Sequence, residues 1–475
     1  MKIVLHGFGS YPIVFRHLIE AARKSAPQIE WAAILPTSHH RDLMRAVLAD
    51  GDMLSLEDHS ARDIRPLTDA GELRDYPDNI FANIEAEKYA FKHRPAWEQL
   101  ARAAETYRVY KSFLQRIRPS HVLVPQIEGY EGRMLPYLAA ELGIKAMVPI
   151  GGRNLGGTIF SSDAVETLPA YRQATPSSLE AARAYVASFR AEAIPALGPP
   201  DKFNPHDEVL DGFQKPLPQR LWEFANRSLS RPDLFEREYL RVSLLNNLSW
   251  FRDALWWARR RRAEGEFDVA RLEDLPRRFI YYPLQVTPES SINTPAPYFV
   301  DQLRAIDAIR LAMPNDCLLV VKEHPAAIST RSPAFVRGLR RRAGVAVAHF
   351  QMDSRALIER AGMTISVTGT STLEAFLLGR PALALGPTLI AGYLGGVCAI
   401  GQLAARIAAN FERTIPDGDI FRAVAEILSV RYDFVFRTPG LPNEPILRRR
   451  NIERLLAAIL EHIARDQAPP QSDAT

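Results

Sequence analysis

Three short segments of this 475-residue chain place chemistry-bearing side chains directly after apolar runs. The sharpest is Val320-Val-Lys-Glu-His-Pro325, in which an apolar run ends and presents a lysine, a carboxylate and a histidine before a proline-fixed turn. Strand ends that face a cleft are where α/β proteins place reactive groups. His324 can hydrogen-bond or protonate a phosphate leaving group near neutral pH, while Lys322 supplies a positive charge beside it. The competing reading is a strand exit that is polar for no chemical reason.

The second segment is Ser366-Val-Thr-Gly-Thr-Ser-Thr-Leu-Glu374, followed by Gly379-Arg-Pro381. Here a strand passes through Gly369 and hydroxyl residues into a helix, whose first N–H groups and positive dipole suit an anion. Gly369 lets phosphate approach the backbone, and hydroxyls such as Thr368, Thr370 and Ser371 add donors. Ser371-Thr-Leu-Glu374 is equally a capping box, so Ser371 has two readings. Glu374, one turn inside the helix, can accept from ribose hydroxyls. The absence of a Walker lysine and of G-x-G-x-x-G order excludes the P-loop and dinucleotide fingerprints. The third segment, Tyr282-Pro-Leu-Gln-Val-Thr-Pro-Glu289, offers Gln285 and Glu289 to the edge of a base or sugar.

The N-terminal half carries Gln126-Ile-Glu-Gly-Tyr-Glu-Gly-Arg133 after another apolar run. Glu128 has the chemistry of a nucleophile or a general base. Glu131 and Arg133 stand beside it as acceptor-binding candidates, with solvated loop charges as the alternative. Gly7-Phe-Gly9 and Gly151-Gly-Arg-Asn-Leu-Gly-Gly157 either admit sugars close to the backbone, with Arg153 as a contact, or are ordinary turns.

Elements able to position these groups are visible on both sides. Strands are expected at Lys2–His6, Ile29–Pro36, His121–Gln126 and Lys145–Ile150, alternating with helices over Ile13–Lys24, Arg94–Ile117 and Gly132–Leu142. Arg62–Asp78 reads as an excursion. The alternation returns with strands at Phe279–Val286, Cys317–Lys322, Val345–Phe350, Met363–Val367 and Ala382–Leu385, and helices at Pro297–Met313, Ser354–Ala361, Thr372–Leu378 and Ile420–Val430. Nearly continuous apolar strands alternating with helices signal parallel sheets covered on both faces. The expected class is therefore α/β, with two Rossmann-like domains facing a cleft and a helical connecting region between them. The expected boundaries are 1–175 for the acceptor domain, 176–276 for the connection with a hinge at Leu197–Pro200, 277–446 for the donor domain, and 447–475 for a terminal helix and tail. Leu447–Ala464 is expected to pack back on the first domain.

Composition narrows the classes further. Apolar residues at 47% and charged residues at 24% exclude disorder, collagen and a disulfide miniprotein. Two cysteines are too few for a thiolate metal cluster. The 59 − 55 = +4 surplus of basic over acidic residues permits an anionic ligand or a membrane surface and demands neither. No signal-peptide core opens the chain, and no run approaches the ~18–20 apolar residues that cross a bilayer. A cytoplasmic protein is expected. Arg259–Arg262, after Trp250, Phe251, Trp256 and Trp257, suits peripheral contact with an anionic membrane surface at the inner face of the cytoplasmic membrane. Arg340–Arg342 and Arg448–Arg450 read as solvated helix faces. Asp50-Gly-Asp52 and Asp417-Gly-Asp419 match a D-x-D metal motif but sit between helical patterns, where turns and caps favour these residues. His39-His40 lacks the spacing of paired zinc ligands. No metal, no other cofactor and no nucleic acid is expected.

Taken in order, Pro-Leu-Gln-x-x-Pro-Glu, Val-Lys-Glu-His-Pro and Thr-Gly-Thr-x-x-Leu-Glu-Ala with Gly-Arg-Pro resemble the capsule polysaccharide biosynthesis family, which includes 3-deoxy-manno-octulosonic acid (Kdo) transferases. The resemblance covers Phe279–Gly386. It implies a GT-B glycosyltransferase whose C-terminal domain holds a CMP-sugar, the donor substrate, without an obligatory metal. On that resemblance His324 contacts the donor phosphate and assists departure of CMP, with Lys322 and Pro325 beside it. Ser366, Thr368, Gly369, Thr370 and Ser371 would line the phosphate end, and Glu374 would face the ribose. The implied reaction moves Kdo or a related ulosonic acid to a glycan or glycolipid acceptor at the cell surface. Two rivals share the sequence features: a CDP-glycerol polyol-phosphate transferase, and a non-catalytic glycan-binding component of an envelope assembly.

Overall fold

The computed structural model describes residues 1–7, 11–60, 73–87, 94–125, 127, 129–191, 267–287, 289–324, 327, 331–436 and 445–467. The chain divides into two compact units, Met1–Ala182 with Val424–Thr475, and Arg183–Ala423.

In the first unit, β1 (Lys2–His6), β2 (Glu30–Leu35), β3 (Met53–Ser55), β4 (His121–Leu123) and β5 (Lys145–Gly151) pair in parallel in the order β3-β2-β1-β4-β5. β6 (Thr158–Ser161) adds antiparallel to β5. The central strands are apolar at consecutive positions because both faces are covered: Ile3, Val4 and Leu5 are all fully buried. The helix Tyr11–Ser25 buries Tyr11, Val14, Phe15, Leu18, Ile19 and Ala22, a single apolar stripe of helical period. The terminal helix Arg449–Gln467 presents Ile452, Leu455, Leu456, Ile459 and Ile463 to the same core.

The second unit holds β7 (Phe279–Pro283), β8 (Leu318–Lys322), β9 (Val345–Ala348), β10 (Met363–Ser366) and β11 (Ala382–Ala384), all parallel, in the order β9-β8-β7-β10-β11. Alternate residues serve opposite faces. Ile280, Tyr282, Leu319 and Val321 join one core with Ile306 and Ile309 of the helix Gln302–Ala312. Phe279, Tyr281 and Val320 join another with Leu357 and Ile358 of the helix Ser354–Arg360. Counted within each unit, both parallel sheets have the order 3-2-1-4-5, which defines Rossmann-like domains. The expected α/β class is borne out.

Differences lie at short elements and at the unit boundaries, the first unit running to Ala182 rather than 175. The chain returns to the first unit at Val424, earlier than the boundary of 447 read from sequence. The reason is β12 (Arg431–Tyr432), which pairs antiparallel with β6, while Thr158 Oγ1 donates to the Phe434 carbonyl at 2.9 Å. Only the ends of the expected connecting region are described, as the helix Pro176–Arg190 and the turn Leu272–Asp274. The hinge Leu197–Pro200 and the aromatic-basic run through Arg262 lie outside the described residues.

Candidate active site

In a doubly wound sheet, ligands bind at the carboxyl ends of the strands where the order reverses. In the second unit that point falls between β7 and β10. The chain leaves β7 at Leu284-Gln285, β8 at Glu323-His324 and β10 at Val367-Gly369, so all three motif segments arrive at this one edge.

Lys322 ends β8 and is 5% exposed. The two-residue period of the strand turns it to the face of Val320 and Tyr281, where its Nζ donates to Ser354 Oγ at 2.6 Å. Burial lowers its pKa to about 8, against the opposing pull of the Asp353 and Glu374 carboxylates. Lys322 is therefore mostly cationic at neutral pH and discharges just above it. Glu323, also buried, accepts from the His324 backbone N–H at 2.8 Å and pairs with Arg331 Nε at 3.0 Å. His324 itself is half-buried.

Gln285 is locked from both sides. Its backbone N–H donates to Gln302 Oε1 at 2.7 Å and its carbonyl accepts from Gln302 Nε2 at 2.8 Å. With the side-chain amide placed to satisfy its neighbours, Oε1 accepts from Gly369 N–H at 2.6 Å and from Thr368 N–H at 3.3 Å. This contact bridges β7 and β10 across the switch point.

The five residues expected at the phosphate end separate into two sets. Ser366 and Thr368 are buried, with Ser366 Oγ accepting from Gly369 N–H at 3.2 Å and Thr368 Oγ1 donating to the Ser291 carbonyl at 2.5 Å. They brace the turn. Gly369, Thr370 and Ser371 are half-buried, as is Glu374. The capping-box reading of Ser371 fails: Ser371 is the first residue of the helix Ser371–Leu377, and Thr370 holds the cap position without a side-chain bond. That helix is only seven residues long, which shifts the burden of meeting a phosphate toward Lys322 and His324. Glu289 is exposed and accepts from Ser291 Oγ at 2.8 Å. Pro325 lies outside the described residues.

Gly369 has a steric reason. A Cβ there would stand 2.7 Å from Ser366 Oγ and 3.2 Å from the Gln285 side-chain amide, both already bonded. Gly369→Ala should cost about 1–3 kcal/mol by forcing these apart. Thermal unfolding should report a fall of several degrees, together with weaker nucleotide binding. An unchanged melting curve would show that the turn relaxes freely.

In the first unit, Glu131 opens the helix Gly129–Glu141 and accepts from Tyr110 OH at 3.3 Å. His6 ends β1 at 1% exposure, 3.2 Å from Tyr110 OH and 3.7 Å from the Glu131 carboxylate. This trio sits beside the first sheet's own switch point, between β1 and β4. Arg133 is buried with its Nε on Asp78 at 2.7 Å, so its fork is engaged within the protein. Arg153 pairs with Glu166, and both carry positive φ, 51° and 63°. Glu128 lies outside the described residues. Sequence reading missed His6, Tyr110, Asp78, Glu166 and Arg331. Of these only His6, a polar residue closing an apolar strand, carries the signal that exposed Lys322.

Three of the four D-x-D aspartates serve ion pairs: Asp52 with Lys2 at 3.2 Å, Asp50 with Arg45 at 2.9 Å and Asp417 with Arg190 at 2.7 Å. His40 Nδ1 meets Thr37 Oγ1 at 2.8 Å. Arg340 and Arg341 are exposed, as expected of a solvated face, with Arg340 paired to Asp268 at 3.2 Å and the half-buried Arg342 to Asp307 at 2.8 Å. Cys317 is buried and its thiol is pushed up to about 11 by that burial, which makes it a poor nucleophile. Among the described residues no helix is long and apolar enough to cross a membrane.

Fold and site together define a two-unit protein with Rossmann-like sheets and a cationic, hydroxyl-lined edge on the second. No family model and no curated protein matches the sequence. Among solved structures, the chain is similar to the beta Kdo 2,7 transferase of Thermosulfurimonas dismutans KpsC, at 12% identity over 97% of this chain and 99% of that one, TM-score 0.38. It is also similar to the beta Kdo 2,4 transferase of the same protein, at 13% identity over 85% and 100%, TM-score 0.35. A third is the UDP-GlcNAc 2-epimerase of Methanocaldococcus jannaschii, at 11% identity over 90% and 99%, TM-score 0.24.

Proposed function

We propose that this protein is a glycosyltransferase of GT-B type that moves a sugar, Kdo or a related ulosonic acid, from CMP to a cell-surface glycan or glycolipid. The observation that carries the reading is the meeting of three strand exits at one switch point, sealed by the Gln285 contact with Thr368 and Gly369. A nucleoside monophosphate is the ligand class that these groups would serve. In this reading Glu289 serves the base or sugar, Glu374 the ribose, and Lys322 and His324 the phosphate, while Gln285, buried with its amide committed to Thr368 and Gly369, braces the loop beneath them.

In the reaction the bond between the anomeric carbon and the donor phosphate oxygen breaks, and its electron pair leaves with CMP. The acceptor oxygen bonds to the anomeric carbon and its proton passes to a general base, the role the sequence offers Glu128. Charge grows on the phosphate as CMP departs, so a cation and a hydrogen-bond donor fixed there lower the barrier. Lys322 supplies the charge and His324 the donor.

A thermal-shift screen of CMP, CDP, UDP and GDP tests the reading. CMP should raise the midpoint most, since a ligand at about 100 times its Kd adds about 2.7 kcal/mol. Release of CMP from CMP-Kdo, with CDP-glycerol left intact, should follow. Turnover of CDP-glycerol, which also releases CMP, with CMP-Kdo left intact would establish polyol-phosphate transfer instead. No shift with any nucleotide would leave the glycan-binding reading.

A further inference from the structure

We propose that Arg331 is the positioning residue of the donor site: one buried guanidinium ties the exits of β7 and β8 together and so sets where Gln285 and His324 stand. The identity of the ligand held there rests on the reading above; the positioning rests on geometry alone.

Arg331 is 7% exposed. Its Nε donates to both carboxylate oxygens of Glu323, at 3.0 and 3.3 Å. Its Nη1 donates to Thr287 Oγ1 at 2.6 Å, and its Nη2 donates to the Gln285 carbonyl. Glu323 in turn holds the His324 backbone N–H at 2.8 Å. The ring of Phe335 lies 5.0 Å beneath the guanidinium. Phe335 packs against the sheet core, but the polar partners Glu323, Thr287 and the Gln285 carbonyl all lie beyond the strand ends. Every atom that Arg331 grips is in a loop carrying a residue assigned to the donor, or is one bond from such a residue.

The chemistry requires an arginine. A planar fork with five N–H donors can serve a carboxylate, a hydroxyl and a carbonyl at once, whereas an ammonium is a point charge on a flexible stem. If Arg331 merely neutralised Glu323, lysine would replace it. If it positions two loops, lysine would not.

Full-length Arg331→Lys and Arg331→Met proteins test this by three readouts. These are the melting temperature, the imidazole resonance of His324 in histidine-labelled protein (assigned by its loss in His324→Ala), and CMP affinity by calorimetry. Both variants should displace the His324 resonance and weaken CMP binding by about tenfold, the loss of one charge-assisted contact. Lysine should fare little better than methionine. A lowered melting temperature with the His324 resonance unmoved and CMP affinity within about twofold of wild type would reduce Arg331 to a stabilising role and overturn the proposal. If the wild-type protein binds no CMP, the resonance alone decides. A displaced resonance then keeps the positioning while the donor reading fails, and an unmoved one overturns both. Should either Arg331 variant fail to fold, Thr287→Val severs only the Nη1 contact and is held to the same criteria.

Discussion

His324→Ala is expected to lower sugar transfer by about 10²–10⁴-fold, the range for removing a positioned acid–base group. The variant should fold normally. His324 is only half-buried, and the contact that places its backbone, N–H to Glu323 Oε1 at 2.8 Å, survives truncation of the side chain. Changes at such sites rarely cost more than about 1 kcal/mol. A companion variant separates two roles. His324→Gln keeps a hydrogen-bond donor but carries no titratable proton. If His324 only hydrogen-bonds the departing phosphate, glutamine should recover much of the rate. If a proton is transferred, glutamine should restore CMP affinity and leave turnover low. Steady-state turnover of CMP-Kdo, alongside CMP titration of each variant, makes the distinction. Near-wild-type turnover by His324→Ala would remove the histidine from the chemistry altogether.

How much of this was readable beforehand depended on element length and on distance in sequence. β1, β7 and β8 announced themselves because strands buried on both faces must be apolar at successive positions, as Ile3-Val-Leu5 and Leu319-Val-Val321 are. β3 and β12, at three and two residues, carry no period to read. The site followed the same rule. Lys322, His324 and Gln285 stood out because they interrupt apolar runs within a residue or two. Arg331 did not, since its partners Thr287 and Gln285 lie 44 and 46 positions away. Ser371 misled for a local reason: its spacing to Glu374 fits a capping box, but the turn that Ser366 and Gln285 close on Gly369 delivers Thr370 already in helical conformation, at φ −63° and ψ −20°. An N-cap needs extended backbone, so the helix begins one residue too early for the box to form.

Lys322→Met should separate function from stability in opposite directions. Removing the ammonium from beside a departing phosphate is expected to lower turnover by about 10²–10³-fold, as for other preorganised electrostatic contacts. Stability should hold or rise, because a charge that burial has pushed down to about pKa 8 is disfavoured in the folded protein, and methionine fills similar space without it. Loss of the 2.6 Å bond to Ser354 Oγ works against that gain without reversing it. The pH dependence carries the same opposition. The folded pKa lies below the ordinary value of 10.5, so the destabilising contribution of Lys322 is fully present below pH 8 and is relieved as pH rises from about 8 toward 10.5. Donor affinity runs the other way: it should be strong below pH 8 and weaken above it as the ammonium discharges. A phosphomonoester completes its own second ionisation near pH 6, so it does not mimic this step. Binding of an anion should also raise the pKa of Lys322, which predicts proton uptake on CMP binding at pH 8–9, read by calorimetry in buffers of different ionisation heat. In Lys322→Met both the uptake and the alkaline fall in affinity should vanish. CMP affinity that stays flat from neutral pH to pH 9.5 in the wild-type protein, or survives in the methionine variant, would place the phosphate away from Lys322 and require a different cation for the leaving group.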